Sequence, residues 1–367
     1  MKKPKKILLI SLVLFLLTLP VAGCKKSPAD SSTADAGKEP ASLEEIIKQA
    51  QKEGMIASVG MPDNWANWGE TWRDIEELYG LKHTDTDMSS AEEIAKFEAE
   101  KNNPTADIGD VGIAFAPVAV AKGVTQPYKT SYWDEIPDWA KDKEGHWIVG
   151  YQGTMAFLIN KKLVDNPPQS FAELLNSNYK VAVGDVMKAS QAQHAVLAAA
   201  IANGGDEKNI LPGIEYFTQL AKKGQLLKAD LSFTNIEKGE IPIALLWDFN
   251  ALGYRDQIDP QQFEVVIPQD GSIVSGYATI INKYAPHPNA AKLAREFILS
   301  DKGQINLAKG YARPIREKVE LPPEVKAKLL PPEQYKNARP IRDFKAWEES
   351  AKNLPALWQE KVLSHLR

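Results

Sequence analysis

The 367-residue sequence predicts an α/β protein of two lobes. Three observations carry that reading. Short apolar runs alternate with helical patterns along most of the chain, which argues for layered sheets and helices with mostly parallel strands. The length exceeds what a single small core organises, so two lobes are expected. No apolar stretch beyond the first 20 residues is long enough to span a bilayer, and the composition is that of an ordinary globular protein.

The elements follow in order. Ser42, with Glu45 three residues on, reads as a capping box opening the first helix. Met55–Gly60 is an apolar strand. Glu70–Tyr79 is helical, with Gly80 in a stop position. Ser90–Lys101 is an amphipathic helix, Asp107–Ile113 a buried strand, and Ala116–Lys122 a small-residue helix closed by Gly123. Trp147–Gly150 and Thr154–Asn160 read as two strands, Ser170–Asn176 as a short helix and Lys180–Gly184 as a strand. An Ala-rich helix covers Ser190–Asn203 and ends at Gly204-Gly205, and Gly213–Lys222 is helical. Ile241–Trp247, Glu264–Ile267 and Ser275–Asn282 are strands. Asn289–Leu299 and Asp301–Lys309 are helices. After Arg316 the chain is Pro-rich and reads as helices laid over the surface of a lobe that the pattern does not specify.

The N-terminus carries Lys2, Lys3, Lys5 and Lys6, an apolar run from Ile7 to Leu19, and small residues before Cys24. That is the layout of a secretory signal. The run is too short for a membrane span. Val21-Ala22-Gly23-Cys24 resembles a bacterial lipobox. The resemblance implies cleavage after Gly23 (signal peptide 1–23), acylation of Cys24 and a lipid-anchored mature protein on the outer face of the cytoplasmic membrane. Cys24 is the only cysteine, so the mature chain has neither disulfides nor thiolate metal ligands. Residues 24–41 are polar, small and Pro-containing and read as a flexible tether.

The net charge of −4 becomes more negative once the four signal-peptide lysines are removed. Such a chain does not suit nucleic acid, which rewards clustered positive charge. No G-x-S-x-G, H-E-x-x-H or P-loop pattern is present, and the five histidines lack metal-ligand spacing. No catalytic residues, cofactor or metal site are expected from these motifs, although acid pairs leave a carboxylate enzyme open on the residues alone.

Several segments in order resemble ABC-transporter substrate-binding proteins of the ferric-iron, polyamine and phosphonate group. Gly150-Tyr151-Gln152-Gly153-Thr154 with Ala156–Val164 resembles the first interlobe crossover. Pro168–Leu175 resembles the connection after it. The helix ending Asn203-Gly204-Gly205-Asp206 resembles the first long helix of the second lobe. Val274–Asn282 with Ala285-Pro286-His287-Pro288-Asn289-Ala290-Ala291-Lys292 resembles the return strand and its helix. Gly303-Gln304 and Gly310-Tyr311-Ala312-Arg313-Pro314 resemble the end of that lobe. The match covers roughly residues 44–320. It implies a two-lobed, periplasmic-binding-protein-like (type II) fold whose hinged cleft closes on a solute. Lobe 1 would comprise 42–153 plus 276–318 and lobe 2 154–275, with 319–367 unassigned. The implied partners are an ABC permease and its ATPase, with the binding protein a monomer.

Ligands of open α/β sheets bind beyond the carboxyl ends of strands, where helix N-termini point in. That rule selects five places. Asp63-Asn64-Trp65-Ala66-Asn67-Trp68 offers indole faces, which attract cations. Asp110 interrupts an apolar run, and a buried carboxylate needs a partner: a ligand amine, or the helix that follows. Tyr151 and Gln152 sit at the crossover, for contact or hinge packing. Ser190 and Gln191 open the Ala-rich helix, where Ser190 serves as N-cap or faces an anion. Trp247 and Asp248 end a strand, as an amine-binding pair or as the cap of a helix through Tyr254. Tyr277 lies in the return strand. Iron-binding members use an adjacent Tyr-Tyr pair, and this chain has none. Aromatics with Asp63, Asp110 and Asp248 suit an amine-bearing solute such as a polyamine or aminophosphonate. A ferric-iron importer component and a non-transport sensor lipoprotein are the alternatives.

Overall fold

The computed structural model describes residues 42–366. The signal peptide, Cys24 and the tether 24–41 lie outside the described residues. The strands are β1 (Met55–Val59), β2 (Lys82–Thr86), β3 (Ile108–Gly112), β4 (Thr125–Gln126), β5 (Trp147–Asn160), β6 (Val181–Ala182), β7 (Leu226–Leu227), β8 (Ile243–Trp247), β9 (Phe263–Val266), β10 (Ser272–Asn282), β11 (Arg313–Pro314) and β12 (Ala338–Pro340). They follow the path β2-β1-β3-β10-β5-β8-β6-β7, with β4 and β12 beside β10, and β9 and β11 beside β5.

Two long strands turn this path into two halves. The N-terminal part of β5 pairs with β10, from Trp147↔Ile280 to Thr154↔Val274. Its C-terminal part pairs with β8, from Met155↔Trp247 to Ile159↔Ile243. β5 therefore carries the chain from one half to the other, and β10 brings it back to pair with β3. Out-and-back travel makes these pairings antiparallel. The sheets are mixed rather than mostly parallel, with parallel pairing at β1–β2, β1–β3, β6–β7, β6–β8 and β10–β12.

Alternation along β5 feeds two cores. Phe157 and Ile159 join the large cluster, while Ala156 and Leu158 pack into a smaller one with Leu246 and Val265. The two strands expected on either side of the crossover form one, with a bulge at Gly150 where the register shifts between Tyr277 and Ala278. Gly153 admits the Phe249 ring: a Cβ there would lie 2.6 Å from it. β10 starts three residues before the expected Ser275. β2 was not foreseen, because Lys-His-Thr-Asp-Thr is polar throughout. It is an edge strand whose His83 and Asp85 meet Ser58 Oγ, at 2.8 and 2.5 Å.

Ser42 caps the first helix through Glu45 N–H (3.3 Å), but the Glu45 carboxylate takes Gln49 instead of completing a capping box. The C-terminal segment lies mainly on the second half. Its helix Phe344–Lys361 sets Trp358 against Phe217 and Trp347 against His194, while Arg339 grips Glu207 with two bonds of 2.6 and 2.9 Å. No helix among the described residues is long and apolar enough to cross a membrane.

Candidate functional site

A cavity of about 480 Å³ draws its walls from both halves. Two other hollows, about 540 and 800 Å³, lie on the outside of the second half and take no residue from the first. The first half supplies the interlobe cavity with Pro62 and Trp65 after β1, residues 87–90 and Glu93 after β2, and Asp110 at β3. The second half supplies Gly184, Asp185 and residues 188–191 after β6, Asp230 and Leu231 after β7, and Asn250 and Tyr254 after β8; β10 supplies Tyr277. These are the segments beyond strand ends, as sheet topology requires. The halves approach closely: a Cβ on Gly112 of the first would lie 2.9 Å from Ser190 Oγ of the second.

The loop after β1 separates its two tryptophans. Ala66 and Asn67 adopt left-handed conformations (φ 47° and 60°), turning the chain into the helix Trp68–Tyr79. Gly310 permits the turn, since a Cβ there would lie 2.6 Å from the Ala66 backbone. Trp65 stays on the cavity wall. Trp68 goes into the core, stacked on Trp72 and edge-on to Tyr151, and does not line the cavity. Asp63 is exposed and lies against the start of that helix, outside the cavity.

Behind Trp65 runs a hydrogen-bond chain. Trp65 Nε1–H donates to Tyr151 Oη (2.6 Å), and Tyr151 donates to Asp110 Oδ2 (2.7 Å). Tyr151 is wholly buried and stacks on Tyr277 at 5.6 Å; it supports the wall rather than forming it. Asp110 is 2% exposed, and its Oδ1 has no hydrogen-bond partner. Burial pushes the Asp110 carboxyl up to about 8, with the Tyr151 hydroxyl and Trp68 indole pulling the other way. Asp110 therefore does not cap the next helix; it lines the cavity with a carboxyl that has one oxygen without a hydrogen-bond partner.

Glu93 lies beside it. Its Oε2 accepts the Asp110 backbone N–H (2.9 Å), and its side chain is 1% exposed. Burial and then the Asp110 charge drive the Glu93 carboxyl well above the usual range. Two glycines make room for it. A Cβ on Gly109 would lie 2.5 Å from Glu93 Oε2, and one on Gly60 would collide with Oε1. Glu93 was not among the expected residues because Glu92-Glu93 reads as an ordinary acidic first turn. Its spacing to Ile94 and Phe97, which puts all three on the buried face, was the available clue.

On the opposite wall Ser190 is the first residue of the helix Ser190–Ala202, not its cap; Ala189 holds the cap position without a side-chain bond. Gln191 lines the cavity with its amide nitrogen tied to Leu245 O (2.5 Å). Tyr254, expected only as the end of a helix, lines the cavity together with Tyr277. Burial pushes both hydroxyls upward, so they remain neutral.

Three expected contacts are structural instead. Gln152 Nε2 donates to Pro314 O (2.8 Å), holding β11 to the crossover. Trp247 is 2% exposed and packs on His194. Asp248 is fully buried and outside the cavity: Oδ1 accepts Thr154 N–H (2.8 Å) and Phe249 N–H (3.0 Å), Oδ2 accepts Tyr335 Oη–H (2.8 Å), and Arg313 Nε lies 3.4 Å away. Its oxygens are consumed because it starts the helix Asp248–Ile258 against the crossover strand. The ionisable side chains of the cavity are five acids, Asp87, Glu93, Asp110, Asp185 and Asp230, and one base, Lys188. Among the described residues no group of three or more His, Cys, Asp or Glu is placed to hold a metal ion.

A family model for bacterial extracellular solute-binding proteins matches residues 103–344. An uncharacterized protein of Haemophilus influenzae is 28% identical over 255 residues, 64% of this chain and 70% of that protein. Among solved structures, the periplasmic binding protein AfuA from Actinobacillus pleuropneumoniae, with fructose-6-phosphate bound, superposes with a TM-score of 0.67 at 21% identity, covering 84% of this chain and 98% of AfuA. The ferric binding protein from Campylobacter jejuni gives 0.65 at 20% identity, covering 83% and 98%. These likenesses show the fold: two halves, two crossing strands and a cleft between. With the family match spanning more than half of the sequence, the chain belongs to the bacterial extracellular solute-binding protein family.

Proposed function

We propose that the protein is the lipid-anchored, extracytoplasmic receptor of an ABC importer, capturing a small amine-bearing solute and presenting it to a membrane permease. Family membership supports the solute-binding role. The amine rests on one observation: five acidic side chains and one lysine line a cavity that also holds Trp65, Tyr254 and Tyr277. Carboxylates neutralise an ammonium, and ring faces take its methylene groups and its charge. The volume of about 480 Å³ fits a solute of metabolite size. Trp65, Asp110, Ser190, Gln191 and Tyr277 are the contacts retained from the sequence reading, and Glu93 and Tyr254 join them. Trp68, Tyr151, Gln152, Trp247 and Asp248 serve the scaffold, and Asp63 lies exposed outside the cavity.

The phosphate group in AfuA's ligand calls for positive charge, and Lys188 is a thin supply here. The ferric reading has support in Tyr254 and Tyr277 facing one space, but among the described residues no group of three or more His, Cys, Asp or Glu is placed to complete a metal site with them. Calorimetric titration of the full chain in detergent with putrescine, spermidine, 2-aminoethylphosphonate, fructose 6-phosphate and ferric citrate tests the ligand class. Binding of an amine is expected; binding only of the sugar phosphate or of iron refutes it. Cys24→Ala should release the protein from the membrane fraction into the medium, and retention would refute the lipid anchor.

A further inference from the structure

We propose that Glu93 and Asp110 form an ammonium seat that is protonated on both carboxyls while the cleft is empty, so that capture of a protonated amine releases one proton to solvent. This rests on the amine reading above and deepens it.

The geometry is that of a built site. Both side chains are at least nine-tenths buried and both line the interlobe cavity. Among the described residues neither makes an ion pair. Asp110 Oδ1 is unpartnered. The Glu93 carboxylate has one neutral donor, the Asp110 backbone N–H, and sits in a slot that Gly60 and Gly109 leave open. Two buried carboxylates side by side cannot both ionise cheaply without a cation.

The surroundings supply no such cation. From β2 and the loop after it come Asp85 and Asp87, whose charges further oppose ionisation of Glu93. From β5 comes neutral Tyr151, from the β1 loop the Trp65 indole, and from β10 neutral Tyr277. Lys188, reaching from the opposite half, acts on Glu92 at the start of the helix, where it adds to the Ser89 bonds that hold that carboxyl down. The missing charge must come from what enters the cleft. An ammonium has three N–H donors, enough to engage the Asp110 and Glu93 carboxyls together. On entry one of the two carboxylic protons leaves for bulk water, the other carboxyl stays neutral, the ammonium keeps its own protons, and the seat ends as a carboxylate–ammonium pair. Chemically the site selects a ligand with a free, protonated amine over its acylated or permethylated counterpart.

The test is calorimetry with putrescine on the full chain in detergent, run at pH 7 in two buffers of different ionisation heat. The expected result is release of about one proton per putrescine, affinity rising between pH 6 and pH 8, and at least tenfold weaker binding in Glu93→Gln. Gln keeps the acceptor for the Asp110 N–H, and Asp110→Asn provides a second variant with an acceptor for Tyr151. Thermal unfolding confirms that each is folded. Putrescine binding without proton release, or with unchanged affinity in both folded variants, overturns this inference and leaves the amine reading standing. Failure of every amine to bind while fructose 6-phosphate or ferric citrate binds overturns both.

Discussion

Asp110→Asn should stabilise the ligand-free protein, increasingly so as pH rises. The carboxyl is pushed to about 8 in the folded chain by burial, against about 3.9 in an unfolded one. For an acid raised in this way the folded state binds more protons between the two values, so stability falls as pH climbs through that window. Integrating to pH 7 gives a loss on the order of 4 kcal/mol attributable to this one group. Asparagine is uncharged, keeps an oxygen for the Tyr151 hydroxyl that Asp110 accepts at 2.7 Å, and removes the loss. Urea unfolding at several pH values reads the effect. The variant and the parent should lie close near pH 4 and diverge by pH 7, with the variant the more stable. Saturating amine should close the gap by stabilising the parent alone. Parallel curves from pH 4 to pH 8 would refute the assignment of Asp110 as a buried acid without a charged partner. A residue that costs the empty protein stability while facing its cavity is the pattern expected where function, not folding, retains a side chain.

Three further outcomes follow from the same geometry. Gly112→Val should hinder closure, because its first carbon already lies within 2.9 Å of Ser190 Oγ; small-angle scattering should show a more open protein and calorimetry a weaker ligand, at nearly unchanged stability. Gly109→Ala should displace Glu93 from its slot, since the new Cβ falls 2.5 Å from Oε2, and cut amine affinity at least tenfold by titration. Asp248→Ala should leave Arg313, Thr154 N–H and the Tyr335 hydroxyl without their buried acceptor, costing about 3–5 kcal/mol in denaturant unfolding; a change below about 1 kcal/mol would contradict the clamp role.

Much of this fold was legible because it is written in local patterns. Apolar runs and Gly stops mark β1, β3, β8 and the helices before and after them, and cleft position follows from strand ends. β2 escaped because an edge strand with one exposed row needs no apolar alternation. The mixed sheet escaped because strand direction depends on where the chain crosses between halves, which no window of residues records.

The site divides along the same line. The sequence, through its order of elements and its resemblance to substrate-binding proteins, determined a two-lobed binder with aromatic and acidic residues beyond its strand ends. Which of them meet was decided in three dimensions. Trp65 and Trp68 part company at a left-handed turn that Gly310 makes possible from far along the chain. Asp248 loses its oxygens to Thr154, Phe249 and Tyr335, while Asp110 keeps one free. Glu93 gains its place from Gly60 and Gly109, on two other segments. A carboxylate's chemistry depends on its solvent and its neighbours, and both are set by packing between segments distant in sequence.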